Sequence, residues 1–252
     1  MYNKALVELY DAIYGAKSYA DESKTVLQIY GAPHGGNAID IGCGTLGHSR
    51  HLAKHFDLVL AADTSSEMIA RARTIAKEES LANVLLHHGS IESLVTPNKF
   101  DLAIAMFNVV NHVLDLQSLA SLVESVANSL VPGGVWIFDC WNGNAARVDV
   151  PYLSSSKTFD YQEQELELVT LSETDFREGT VSMRMTLPDW TEKFGNVQPE
   201  IPVLVHRLWT PDVIKELLLV SGFREIQIFD ARAYPNSPDF RETKRLLFKA
   251  QI

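Results

Sequence analysis

One stretch, Ala38-Ile-Asp-Ile-Gly-Cys-Gly-Thr-Leu-Gly-His-Ser-Arg-His-Leu-Ala53, limits what this chain can fold into more than any other. A short apolar run with an acid near its end meets three glycines and then turns amphipathic. That order predicts a buried strand, a tight turn and a helix over about residues 46–55. Glycine serves such a turn because it accepts positive φ and lets a ligand come close to the backbone. The helix behind it offers free N–H groups and the positive end of its dipole to a polar ligand. Gly42, Gly44 and Gly47 spell G-x-G-x-x-G, a pattern found at dinucleotide sites and not restricted to them.

The rest of the chain repeats this grammar. Leu58–Ala62 reads as a second strand ending in Asp63, and Met68, Ile69, Ala72 and Ile75 carry a helix to about residue 79. Asp63 lies about 20 residues past the glycines, the separation at which an acid on the neighbouring strand reaches ribose hydroxyls. It also precedes a helix cap at Ser65 or Ser66, and the two roles are compatible. Val84–His88, Phe100–Met106 and Val135–Asp139 read as three further strands, with a helix over about 115–130 ending at Pro132-Gly133-Gly134. Five alternations predict an α/β fold with a doubly wound, mostly parallel sheet, whose ligands sit at the carboxyl ends of the strands. Asp63, Ser90, Asn108, Asn111, His112 and Trp141 all fall at such ends.

From about residue 144 to 208 the pattern changes. Leu166–Phe176, Val181–Leu187 and Ile201–Leu208 alternate polar and apolar residues, and Glu178-Gly179 reads as a hairpin turn, so this is an antiparallel β insertion. A helix over 211–221 and strands Phe223–Phe229 and Lys244–Ala250 then return to the main sheet, the two strands pairing antiparallel at its edge. At the other end, helices over 3–14 and 20–30 flank a glycine-containing break and carry several tyrosines.

A net charge of −10 argues against a nucleic-acid surface, where phosphates are met by clustered Lys and Arg. Cys43 and Cys140 are the only cysteines, so neither a disulfide framework nor a four-cysteine zinc site is possible. His51 and His55 have the i, i+4 spacing of a metal pair, but with no carboxylate between them they read as solvated helix histidines, as does His48, and no metal is expected. No apolar run approaches a membrane span and no signal-peptide core opens the sequence, so the cytoplasm is the expected location.

Taken together these motifs resemble the class I S-adenosylmethionine-dependent methyltransferases. Ala38–Gly44 is similar to the family's first motif, with an acid two residues before Gly-x-Gly, and Ala61–Arg73 to its second. Phe100–Phe107 and Leu130–Phe138 resemble the fourth motif and the entry to strand five. A closer likeness is to the N-methyltransferases of nucleotide-linked deoxyaminosugars, through Leu9-Tyr-Asp11, Lys17-Ser-Tyr19, Cys43-Gly44-Thr45, His87-His-Gly89, Met106-Phe107, His112, Val205-His206-Arg207 and Arg245–Phe248. Ser90, where the family usually has aspartate, and the run Asp139-Cys-Trp-Asn142 depart from the pattern.

The resemblance implies a seven-stranded Rossmann-like methyltransferase fold. Residues 1–143 and 209–252 would bind S-adenosylmethionine under an N-terminal helical lid, with 144–208 contributing to the substrate cavity. It implies Gly42, Cys43 and Gly44 at the cofactor backbone, Asp63 and Thr64 at the ribose, and Met68, Ile91 and Ser90 around the adenine. Asp40, Met106 and Tyr19 complete the cofactor set, with Tyr19 closing over the methionine end. His112 would orient or deprotonate an acceptor amine with Tyr14 or Tyr10 opposite; Arg241, Arg245 and Arg177 could hold a diphosphate, but each reads more readily as a solvated surface charge, and the acidic balance gives a diphosphate no support. The expected partner is a small-molecule methyl acceptor, with no nucleic acid or membrane, for a monomer or homodimer. The alternatives are O- or C-methylation, an NAD-linked oxidoreductase, or a cofactor-binding regulator without turnover.

Overall fold

In the computed structural model, residues 2–32, 35–94, 99–146 and 152–252 are described, and the chain divides into two compact units. One comprises Ser18–Ala146 and Arg207–Ile252, the other Met1–Lys17 and Arg147–His206.

The larger unit is built on a seven-stranded sheet. In chain order its strands are β1 (Asn37–Ile41), β2 (Leu58–Asp63), β3 (Val84–His88), β4 (Phe100–Ala105), β5 (Leu130–Trp141), β10 (Glu225–Asp230) and β11 (Arg245–Gln251). They lie side by side as β10-β11-β5-β4-β1-β2-β3. The pairs β1–β2, β1–β4, β2–β3 and β4–β5 are parallel, while β11 runs antiparallel to both β5 and β10. Neighbouring residues of one strand serve opposite faces. Ile39 and Phe138 pack with Leu119, Val123 and Val126 of α5 (Leu116–Ser129) and Ile214 and Leu218 of α7 (Pro211–Val220). Ala38 and Ile137 pack with Val26 and Ile29 of α2 (Tyr19–Tyr30) and Ile69, Ala72 and Ile75 of α4 (Ser66–Glu78). Both faces are covered, which is why these strands read as continuous apolar runs. The helix starts are local: Ser65 accepts the Met68 N–H at 3.3 Å and Asp115 the Ser118 N–H at 2.8 Å.

The smaller unit joins helix α1 (Lys4–Ile13) to a four-stranded sheet of order β6-β7-β8-β9: Tyr152–Tyr161, Gln164–Asp175, Thr180–Thr186 and Leu204–Arg207. A short helix α6 spans Trp190–Phe194. Leu6, Leu9 and Ile13 of α1 pack with Phe159, Leu166, Leu168 and Met185, and Lys157 Nζ donates to the Ile13 carbonyl at 2.6 Å. The first helix, expected as part of the cofactor domain, thus groups with the insertion through an apolar face that needs a partner.

Two local expectations are corrected. The helix expected over 46–55 is only α3, Ser49–Leu52. Leu46 sits at φ 68, outside the helical region, and the N–H groups of His51, Lys54 and His55 bond three residues back, giving tight turns rather than an α-helix. The fifth strand begins at Leu130 rather than Val135, because Leu130 pairs with Phe100 and a register shift between Phe100 and Leu102 absorbs the Pro-Gly-Gly segment.

Candidate active site

The sheet order reverses between β1 and β4, and the groups of interest gather at the carboxyl ends around that point. The Gly42 and Cys43 N–H groups both donate to the Ala62 carbonyl, at 2.8 and 3.0 Å, so the turn leaving β1 is clamped to the end of β2. Gly42 has φ 70, and a Cβ there would come within 2.5 Å of Val109 Cγ2; no side chain fits. At Gly47 a Cβ would meet the Tyr19 ring at 2.5 Å, so the missing side chain lets Tyr19 lie against the loop. Cys43 is buried, which pushes its thiol well above the usual range and keeps it protonated.

Asp63 accepts the Gly44 N–H on Oδ2 at 3.0 Å and the Ser65 N–H on Oδ1 at 2.8 Å. Burial raises its pKa against those bonds. A carboxylate has about four acceptor positions, so lone pairs remain for a ligand's hydroxyls. Thr64 beside it is exposed, and Ser65, as the cap of α4, sets Met68, which is buried. Ile91 and Met106 are buried in the packing on opposite faces of the sheet, and Ser90 is half-buried at the end of β3.

Behind the turn lies a chain of charged groups. Asp40 is 1% exposed, and its Oδ2 accepts the Ser49 hydroxyl at 2.5 Å. Burial pushes its pKa up to about 6, with His48 and the Ser49 bond opposing. His48 Nε2 lies 2.8 Å from Glu22 Oε2 and its ring meets Tyr19 edge-on at 5.1 Å. The other Glu22 oxygen is 3.4 Å from Arg245 Nη1, and Arg245 Nε donates to Asp139. Asp139 is fully buried and its second oxygen accepts the Asn108 N–H at 3.0 Å. The chain therefore runs from the end of β1 to the loop after β4.

That loop is held in an unusual backbone. Phe107 and Asn108 both have positive φ, 73 and 62. Asn111, fully buried, accepts the Trp141 N–H at 2.9 Å and donates to the Arg207 carbonyl at 2.7 Å. The next residue is His112, half-buried, whose pKa burial lowers to about 4. The Asn108 Oδ1 atom is buried without a hydrogen-bond partner among the described residues.

The structure thus brings Asp40, Gly42, Cys43, Gly44, Asp63, Thr64, Ser90, Asn108 and His112 to one edge of the sheet, with Tyr19 against the loop. Tyr10 and Tyr14 belong to the other unit, their rings 4.7 Å apart, with Lys157 Nζ 4.4 Å from the centre of the Tyr14 ring. Two expectations change. Arg245, read as a solvated surface charge, spends its guanidinium on Asp139 and Glu22, whereas Arg241, 87% exposed and paired with Asp239, and Arg177, on an exposed hairpin turn, are surface charges. His48, expected to be solvated, is buried and paired. Glu22 had no sequence signal at all, because its partner Arg245 is 223 residues away.

Residues 38–134 match the family described as "Methyltransferase domain". The match covers less than half of the chain, with the glycine turn, Asp63 and His112 inside it, and the fold is shared with solved S-adenosylmethionine-dependent methyltransferases. A solved S-adenosylmethionine-dependent methyltransferase from Clostridium acetobutylicum superposes with TM-score 0.76 at 21% identity, covering 98% of this chain and 97% of that one. An amino pentose methyltransferase from Micromonospora echinaspora, solved with S-adenosylmethionine bound, gives TM-score 0.74 at 21% identity over 96% of each chain. Among curated relatives, a dTDP-3-amino-3,4,6-trideoxy-alpha-D-glucopyranose N,N-dimethyltransferase of Streptomyces venezuelae is 28% identical over 145 residues, 56% of this chain. The match spans 59% of that relative's length.

Proposed function

We propose that this chain is a methyltransferase that moves a methyl group from S-adenosylmethionine to an amine of a nucleotide-linked amino sugar. The observation that carries it is the Asp63 carboxylate clamped beside the Gly42–Gly44 turn at the strand reversal, with acceptor positions left over for a ribose. The donor set fits this cofactor. Acidic and acceptor groups (Asp40, Asp63 and the unpartnered Asn108 Oδ1) suit a ligand with hydroxyls, an ammonium and a sulfonium, and the bare Cα of Gly42 leaves backbone for close approach. When bound, S-adenosylmethionine supplies an activated methyl group.

The protein's part is to bind, orient and exclude water. Asp63 and Thr64 hold the ribose, Met68 and Ile91 flank the base, Ser90 meets its edge, and Tyr19 with Asp40 and Met106 bounds the remainder. The Gly42–Gly44 backbone supports the cofactor's spine. His112 is the candidate catalytic residue. With its pKa lowered to about 4 the imidazole is neutral at physiological pH, so it accepts a hydrogen bond from an amine and fixes the direction of the lone pair. Burial also raises the Tyr14 hydroxyl pKa, keeping it a donor, and the resemblance assigns Tyr14 and Tyr10 to the reaction. The reading places the enzyme in the cytoplasm, as a monomer or homodimer that sedimentation distinguishes.

The test is methyl transfer from labelled S-adenosylmethionine to a set of nucleotide-linked sugars with and without an amino group. Label entering only the amino sugars supports the reading. Label entering the hydroxyl or carbon analogues equally overturns N-methylation, and calorimetric binding of NAD in place of S-adenosylmethionine overturns the cofactor. His112→Gln is expected to lower kcat/KM for the acceptor about 10- to 100-fold, uniformly between about pH 6 and 8. A loss below about twofold reduces His112 to a wall of the pocket.

A further inference from the structure

The larger unit contains a cavity of about 520 Å³ lined by none of the residues assigned above to catalysis or the cofactor. It runs along α2 and past α3 to Phe56, which precedes the start of β2, whereas Gly42 and Asp63 stand at the far ends of β1 and β2. Its volume falls within the range of small-molecule sites, about 300–1,000 Å³.

The walls have a distinct chemistry. Lys24, His51, Lys54 and His55 line the cavity, and no Asp or Glu is among its described lining residues. In a chain of net charge −10, two lysines and two histidines line one hollow that has no carboxylate among its described lining residues, so the lysines give it a locally positive wall. Burial first, and then the charges of Lys54, Arg50 and His48 against that of Glu79, lower the His51 pKa. Between the basic groups the surface is apolar, with Leu27 half-buried and Phe56 buried. Ser23 forms part of the wall; it is 2% exposed, and its hydroxyl is buried with no hydrogen-bond partner among the described residues. An unpaired buried hydroxyl carries a cost of about 1–3 kcal/mol.

We propose that this cavity is a second binding site, for a small organic anion with a compact apolar body. The two exposed lysines meet the charge, the half-buried histidines flank it, and Leu27 and Phe56 take the apolar part. An anion without the body forgoes the apolar contacts, and a neutral body forgoes the charge, so the site selects for the combination.

Calorimetry on the full chain at neutral pH tests this with phenyl phosphate as the probe and inorganic phosphate and benzyl alcohol as the head-only and body-only controls. Phenyl phosphate is expected to bind at one site per chain, about tenfold or more tighter than either control, and to weaken as salt is raised. The double variant Lys24→Gln, Lys54→Gln is expected to lose about tenfold in affinity while its thermal transition stays that of the parent, since both side chains are exposed. The proposal is overturned if the double variant binds phenyl phosphate as the parent does, if inorganic phosphate binds equally well, or if no saturable binding appears below about 10 mM.

Discussion

The two units solve the same problem, burying one apolar surface, in opposite ways. The seven-stranded sheet is covered on both faces and keeps polar groups deep inside, among them Asp40, His48, Ser49, Asn108, Asn111 and Asp139. The four-stranded sheet packs its apolar side chains with α1 and leaves β6 largely exposed, and of the buried polar residues among those described only His206 belongs to that unit. Burying a polar group costs free energy unless it is paired. The parallel unit accepts that cost repeatedly at one edge, which marks the edge as the place where chemistry is arranged. The antiparallel unit reads as a scaffold presenting surface.

The sharpest way to break this contrast is to remove one member of the buried charge chain. Arg245→Met leaves Asp139 buried without its cation and is expected to cost about 3–5 kcal/mol in denaturant unfolding. Lys4→Met, which removes the exposed i, i+4 pair with Glu8 in the other unit, is expected to cost less than about 0.5 kcal/mol. Equal losses would erase the distinction. Two glycines with nearly the same backbone give the next comparison. Gly42→Ala, at φ 70 against Val109, should cost about 2–4 kcal/mol and abolish measurable cofactor binding. Gly195→Ala, at φ 69 with nothing within 4 Å of the added carbon, should cost only the backbone strain of about 1 kcal/mol.

A pH titration sharpens the contrast further. Asp40 titrates near 6 in the folded chain, above the usual aspartate value of 3.8, so the folded state holds an extra proton between those values. Its contribution to stability therefore falls as pH rises from about 4 to 6 and is flat above. His112 works in the opposite direction, its depressed pKa making stability fall as pH drops from about 6.5 to 4. The difference between parent and Asp40→Asn isolates the first effect and should change by roughly 2–3 kcal/mol across the window. A constant difference would show that Asp40 is not desolvated in solution. The smallest effect expected is that of Tyr14→Phe or Tyr10→Phe, a several-fold loss in kcat/KM for the acceptor with cofactor affinity unchanged.

What could be read from the sequence follows the same division. The parallel strands, Asp63 and the glycine turn are local signals, because a strand buried on both faces must be apolar throughout and a tight turn must use glycine. Strand β6 gave no such signal: Tyr-Leu-Ser-Ser-Ser-Lys-Thr does not alternate, and its order comes from pairing with β7. The turn between them uses Gln162 and Glu163, both at positive φ (48 and 63), without the Asn-Gly or Asp-Gly expected of a two-residue hairpin. The Arg245 and Glu22 pairing was invisible for a different cause, since no local pattern records which distant carboxylate an arginine will meet. The same long reach made Arg245 read as a solvated surface charge.

The join between Arg245 and Glu22 also sets an order of assembly. Residues 38–63, proposed above to hold the cofactor, leave the ribosome long before Arg245 exists to hold Glu22 and Asp139 in place. A partly synthesised chain would display the glycine turn before the ion pairs of the last strand can form behind it.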